Sequence, residues 1–544
     1  MRLRVKTKEK ACETAKIADT ADVGKNDPNR YIDRPFNVRP LCFWAFFAAL
    51  TVVVCHWAFY TGFYLVVPGY FAMLIALFFA LQFLQTKDQV VRYFGSSRLF
   101  FTVLIVLCLT VAGASALTIL SYTTQKSYAG YGELEGVVES YNIRDDGSGY
   151  FMLVNAHFEG ADLSGRVMVY VTTVTKAGVT QTFMPGFATF DKVSLEAQLK
   201  NAAANDYNIN SSIKYTANIK ATDTITAIGK DTSVRSTVLR YARDFFGRFL
   251  NQRNSSFIYS MLFGDKSELD TGLQDDFRLT GMAHVLAVSG LHVGLIVGIL
   301  VICLNFLKVS KKRQFFVILS ILLFYCYLCD FRYSILRSSI MFLVITARRV
   351  FLRSTDMLSS LSLAGIIILI LFPFSLYSAS FQLSFACIFG VTLFYLPMNN
   401  FFMRTIKIKW LSSGVAMYFC TLAVCLPFFL KYFGMVSLVG IILNVMILPL
   451  IVLAFQASVI SLVTWITFPV LYLVNPILDF ALNATDMMAH WSVTSVFMSS
   501  GGDWFLIYLI GIILMSRFIF MQKRLRWQAA SVLVAVYAAS VLVF

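Results

Sequence analysis

Cysteine and histidine are scarce where a metal or redox centre would need them. The 544-residue chain holds five histidines and ten cysteines, and no cysteine falls between Tyr122 and His284. That polar stretch therefore has neither a disulfide framework nor a cysteine metal site. Cys326 and Cys329 form a C-x-x-C pair, but inside an apolar run and without a second pair, which argues against redox or zinc chemistry. No histidines stand at metallohydrolase spacing, and there is neither a Walker A loop nor a GxSxG elbow. The start of the chain has no basic segment leading straight into an apolar core, so a cleaved signal peptide is not expected. The absence of an internal repeat removes the inverted-repeat signature of many secondary transporters. Neither metal nor cofactor is expected from these patterns.

Charge is also sparse, at 14% of residues, whereas hydrophobic residues make up 58% and the mean hydropathy is +0.70. Apolar runs of roughly 20 residues, separated by short basic loops, predict a polytopic α-helical membrane protein of about 13 spans. The net charge of +16 is then largely a cytoplasmic loop signal rather than a nucleic-acid footprint. Residues 1–40 read as a cytoplasmic tail and 41–121 as N-terminal membrane helices, with Lys87, Arg92 and Arg98 on the inside. Residues 122–231 change character to short alternating runs rich in Val, Thr, Tyr and Gly. Gly132–Tyr141, Tyr150–Asn155 and Gly165–Thr173 read as strands, with Asp145–Gly149 as a turn between the first two. This predicts one inserted all-β domain, compatible with a small barrel, on the extracytoplasmic side. Its nine Lys/Arg against twelve Asp/Glu make it net acidic, which argues against a phosphate grip.

Residues 232–282 form a linker of opposite sign. Arg235, Arg240, Arg243, Arg248 and Arg253 face only Asp244 between 232 and 254, and the apolar positions recur at helical spacing. This amphipathic helix is compatible with lying at the membrane interface and with forming a basic entrance that attracts polyanions. The acids from Asp265 to Asp276 fit no calcium loop and read as a solvated turn and helix start. A membrane core over 283–467 follows, with basic loops at 308–313, 348–353 and 404–409 that all fall inside if the β domain is outside. Asp330 stands at the other face and is expected to pair with Arg332 or Arg337. From Tyr432 to Ser516 there is no Lys or Arg, so orientation is not set there. A hairpin broken near Pro449 is expected within 436–467, and 468–544 reads as amphipathic and membrane segments.

Polar residues inside apolar runs are the candidates for function: His284, Ser289, His292, Arg337, Gln382, Ser384 and Asn444. Each needs a partner or water, because lipid offers none. Gly290, Gly294 and Gly298 recur every fourth residue and predict a close helix contact. Ser289 and His292 share a helical face, which keeps open a membrane enzyme acting on a lipid-linked substrate. Pro373, Pro427 and Pro449 are expected to break spans.

The segment Phe277-Arg278, Gly281, His284 and Leu286–Gly294 (LAVSGLHVG) resembles the signature of the ComEC family almost letter for letter. The likeness extends through Leu262–Ser267, Leu336-Arg337, Phe381–Phe385, Pro427, Phe433-Gly434, Ser437, Asn444 and Pro449. The resemblance implies an inner-membrane channel that carries single-stranded DNA into the cell during natural transformation, with an OB-like external domain. It further implies membrane lipid, an external DNA receptor and a cytosolic ATP-driven translocase as partners. Many members carry a C-terminal metallo-β-lactamase-like domain. No such motif stands in this sequence, so any nuclease step would come from another protein or be absent, and the chain itself is read as a transporter, not an enzyme.

Overall fold

The computed structural model describes residues 40–84, 97–351 apart from 127, 129, 145, 177, 178, 182 and 184, then 356–464, 470–491, 494–497 and 531. Residues 1–39 of the expected tail, the loop with Lys87 and Arg92, and, apart from residue 531, the membrane segments expected after residue 497 lie outside these residues.

Three apolar helices come first: α1 (Pro40–Thr61), α2 (Val66–Leu84) and α3 (Ser97–Thr123). The β domain follows. Its main strands are β1 (Gly130–Ile143), β2 (Gly149–Phe158), β3 (Arg166–Thr172), β4 (Asp191–Asn201) and β5 (Ile213–Lys220). β1 pairs antiparallel with β2 and with β4, β3 pairs antiparallel with β2 and parallel with β5, and β5 pairs back to β4. The five strands thus close into a ring, which is the barrel-like, OB-like sheet expected from the alternating pattern. Alternation fills the ring: Leu134, Phe151, Leu153, Val167, Val169, Leu195 and Leu199 point inward and are fully buried or nearly so. The turn after β1 is held by Asp146, whose carboxylate accepts from the Ser148 amide at 2.8 Å.

The linker is not one helix. α4 (Val234–Phe249) ends and α5 (Gln252–Phe263) restarts at Asn251, whose side chain accepts from the Asn254 amide as an N-cap. A short α6 (Thr271–Leu279) follows, capped by Asp270. The helical core then continues with α7 (Gly290–Phe306), α8 (Lys311–Leu328), α9 (Tyr333–Phe351) and α10 (Met357–Leu371). It ends with α11 (Ala379–Thr405), α12 (Lys409–Phe433), α13 (Gly440–Thr464) and α14 (Val470–Ala489). Five helices among the described residues are long and apolar enough to cross a membrane, namely parts of α1 and α3 with α11, α12 and α13. Shorter apolar helices include α7, α10 and the first part of α9.

Two expectations about breaks fail. Pro427 lies inside the continuous α12. The hairpin expected within 436–467 is instead one helix, because a π turn at Leu443–Ile447 precedes Pro449 and absorbs the missing amide. Pro373 does mark a break: α10 gives way there to a 3-10 turn, Pro373–Tyr377.

Candidate functional site

The segments of family likeness are far apart in sequence and meet in space. The apolar run expected to be a span from residue 283 stays irregular until Gly290, because Gly281 sits at φ +72° and Ser289 is extended as the N-cap of α7. A Cβ on Gly281 would lie 2.9 Å from Ser437 Cβ, so this turn packs against the start of α13. Ser437 in turn accepts from the Gly440 amide at 3.1 Å, and the Arg278 guanidinium lies 6.0 Å from the centre of the Phe433 ring.

His292 occupies the first turn of α7, is 2% exposed, and packs at a tilt against Phe455 of α13 with ring centroids 4.6 Å apart. Its Nδ1 accepts from the Ser289 backbone amide at 3.1 Å. The Ser289–His292 pair is therefore a helix-capping contact, as in half of a capping box. His284 is exposed, on the same irregular stretch. Of the three glycines, Gly290 and Gly294 carry the close approach: Cβ atoms there would meet Arg337 Nη2 at 3.0 Å and Phe342 at 2.8 Å, both from α9. Gly298 would meet nothing within 4 Å.

Arg337 is the outlier of the interior. It is 4% exposed, and its Nε is buried without a hydrogen-bond partner. No ion pair or hydrogen bond engages it among the described residues. It lies four residues into α9, about 6 Å along the axis from Tyr333. Ser384 and Ser334 pair across α11 and α9 at 3.2 Å. Gln382 donates to Leu376 O at 2.8 Å and accepts from the Tyr432 hydroxyl at 2.8 Å. Asn444 turns back onto Gly440 O at 2.7 Å. These three side chains are satisfied within the helical core.

A second charged region lies where the barrel meets the helices. Arg166 of β3 grips Glu139 of β1 through both carboxylate oxygens, at 2.7 and 3.2 Å, and also contacts Asp330 between α8 and α9. Arg235 of α4 reaches the same Glu139 at 2.8 Å. Asp330 thus pairs across to the barrel rather than with Arg332 or Arg337, because the reversed turn at Asp330 and Phe331, both at positive φ, aims it at the barrel. Burial opposes ionisation of Glu139, but Arg166 and Arg235 outweigh it and hold the carboxyl below its ordinary range. Asp330 moves the other way, raised by burial and by Glu139 against the pull of the arginines. These groups line a cavity of about 580 Å³ together with Asp265, Tyr333 and Phe374. The barrel is fastened further by the turn at Asp206–Asn210: His56 and Tyr60 of α1 bond Asp206, and the Tyr122 hydroxyl of α3 donates to Asn208 O. In the Leu262–Ser267 motif, the Ser267 hydroxyl accepts from the Tyr141 amide of β1 at 3.1 Å, so this motif docks the barrel.

The linker arginines are mostly spoken for. Arg243 pairs with Glu268 at 2.8 Å, Arg240 donates to Asp231 O at 2.6 Å, and Arg253 donates to Asn483 of α14 at 2.7 Å. Arg248 is exposed, at a shallow groove with Gln252 and Ser255. One grouping was not legible from spacing: ligand atoms of Asp276, Asp486 and His490 lie within 4.8 Å of one another, brought together by α6 against α14. Burial, and then Asp486, raise the Asp276 carboxyl.

A family model described as "Competence protein" matches residues 261–537, just over half of the chain. Among curated relatives, ComE operon protein 3 of Bacillus subtilis (strain 168) is 24% identical over 205 residues, which is 38% of this chain and 26% of that protein. Recombination protein 2 of Haemophilus influenzae (strain ATCC 51907 / DSM 11121 / KW20 / Rd) is 25% identical over 206 residues, 36% of this chain and 26% of that protein. The matched segments thus span about a quarter of the length of these relatives. No solved structure matches. The matched region contains the turn at Gly281, the α7 cap and Arg337, and the chain belongs to the Competence protein family, whose relatives here are of the ComEC and Rec2 kind.

Proposed function

We propose that the chain is a multi-pass protein of the bacterial cytoplasmic membrane that passes single-stranded DNA into the cell during transformation. The observation that carries this reading is a buried, unpaired arginine within the family-matched helical core. Ionisable groups at such depth mark paths for polar cargo. The barrel stands as an extracytoplasmic vestibule over the same end of the helices, and the helices around Arg337, His292, Ser384 and Asn444 surround the path. An external DNA receptor supplies the strand, and a cytosolic ATP-driven translocase pulls it, since no nucleotide motif stands in this sequence.

The test is entry of labelled DNA into a nuclease-protected cytoplasmic pool, in cells with and without the chain. Loss of the protected pool supports the reading. Unchanged entry, with accumulation of a lipid-linked species, would favour the membrane enzyme instead. Ser289→Ala separates the two as well, because it removes a nucleophile but leaves the backbone amide that His292 holds.

A further inference from the structure

The start of α7 and the side chain of Arg337 place two positive elements face to face. α7 is 17 residues long, and its N-terminus carries first-turn amides with no acceptor inside the helix. The aligned peptide dipoles add a partial positive charge there. Ser289, the N-cap, has given its own amide to His292, and no side chain among the described residues accepts from Gly290 or Leu291. Beside this end lies the Arg337 guanidinium, whose Nη2 is 3.0 Å from where a Gly290 Cβ would be. The absent side chain at Gly290 is what allows that approach.

Such an arrangement is costly as it stands. A buried cation is ordinarily paired, and a helix N-terminus ordinarily faces an anion or a capping acceptor. Here the guanidinium lacks one among the described residues, the amides of Gly290 and Leu291 beside the capping box have no side-chain acceptor, and the titratable group acting on Arg337 is the thiol of Cys387 rather than a carboxylate. A guanidinium fork beside free backbone amides matches the geometry of a phosphate, with two donors from the side chain and one or two from the main chain. A full phosphate would leave excess negative charge in an apolar surround. A phosphodiester, with a single charge, balances one arginine.

We propose that Arg337 and the first turn of α7 form a binding site for a phosphodiester group, a reading that rests on the channel function for the identity of the strand. A nucleic-acid backbone and a phospholipid headgroup offer the same chemistry. The site binds one phosphate at a time and reads no base, which suits passage of a strand of any sequence.

The test uses the full chain in phosphatidylcholine nanodiscs with fluorescent oligothymidylate, against the same oligomer with an uncharged methylphosphonate backbone. The wild type should bind the phosphodiester strand and not the uncharged one. Arg337→Gln should weaken binding about tenfold or more, the loss of a charged hydrogen-bonding partner, and Arg337→Lys should lose less. A second arm adds phosphatidylglycerol. If the wild type binds no oligonucleotide but retains phosphatidylglycerol through delipidation, and Arg337→Gln loses it, the site stands with lipid as occupant and the channel reading falls. Equal binding of the strand by wild type and Arg337→Gln overturns the site while leaving the channel reading intact. Should Arg337→Gln fail to fold, the wild type alone decides. Its melting midpoint must rise with oligothymidylate or phosphatidylglycerol and not with the uncharged strand, and no rise with either phosphodiester overturns the proposal.

Discussion

The seam between barrel and helices and the interior beside α7 both hold arginines away from bulk water, and they treat them in opposite ways. At the seam, Arg166 and Arg235 share Glu139, and Asp330 completes the set. Every charge there has a partner contributed by a different element, so the network fastens β1, β3, α4 and the α8–α9 corner together. Beside α7, Arg337 has no carboxylate partner and no hydrogen-bond acceptor among the described residues. Paired charge in this molecule is mechanical, whereas unpaired charge is held ready for a ligand. The distinction also reassigns the linker, where Arg235, Arg240, Arg243 and Arg253 each bond a partner within the fold, while the side chains of Arg248 and Arg253 stay exposed.

The comparison can be broken at several points. Glu139→Ala should be the most damaging, because it strands two guanidinium groups on a side chain only 10% exposed. The expected loss is about 3–5 kcal/mol, read as a lowered melting midpoint and as protease access between barrel and helices. Acidification should probe the same seam with a defined sign. Glu139 is held low, so its contribution is complete above the ordinary glutamate value of about 4.3 and is lost only as the pH falls through its lower folded value. Asp330 is raised, so its protonation comes earlier and by itself favours the folded state. Melting should therefore weaken late on the acid side, and Glu139→Gln should remove that late limb. Retention of the limb would show that the seam does not depend on Glu139.

Gly290→Ala sharpens the other half of the comparison. Its methyl would press on Nη2 at 3.0 Å without changing any charge. DNA entry should fall several-fold while the melting midpoint moves by no more than about 1 kcal/mol of stability. Gly298→Ala, which meets open space, is the matched control. Arg248→Ala should have the smallest effect, a modest fall in DNA association seen at low salt and gone at high salt, since exposed charges act over about 10 Å at 0.1 M.

Much of the architecture was legible in the sequence because it rests on local patterns. Alternation at Gly132–Tyr141 and Gly165–Thr173 matches β1 and β3, and the apolar runs within 283–467 match helices of the core. What failed depended on contacts between distant segments. Nothing in the spacing of Asp330, Arg332 and Arg337 points to Arg166, which lies 164 residues earlier than Asp330. Apolar content also hid the irregular turn before Gly290, because a buried non-helical segment and a buried helix read alike in composition. Pro449 looked like a break because a π turn cannot be seen in a residue string. Arg337 was visible as an intramembrane charge, but its lack of a partner is a property of the packed interior.

The most direct test is cytoplasmic entry of labelled single-stranded DNA in cells producing Arg337→Gln, with protein level and melting midpoint matched to wild type. Entry reduced about tenfold or more, with stability unchanged or improved, is the expected result. Wild-type entry in that strain would contradict the claim that the unpaired arginine serves the strand.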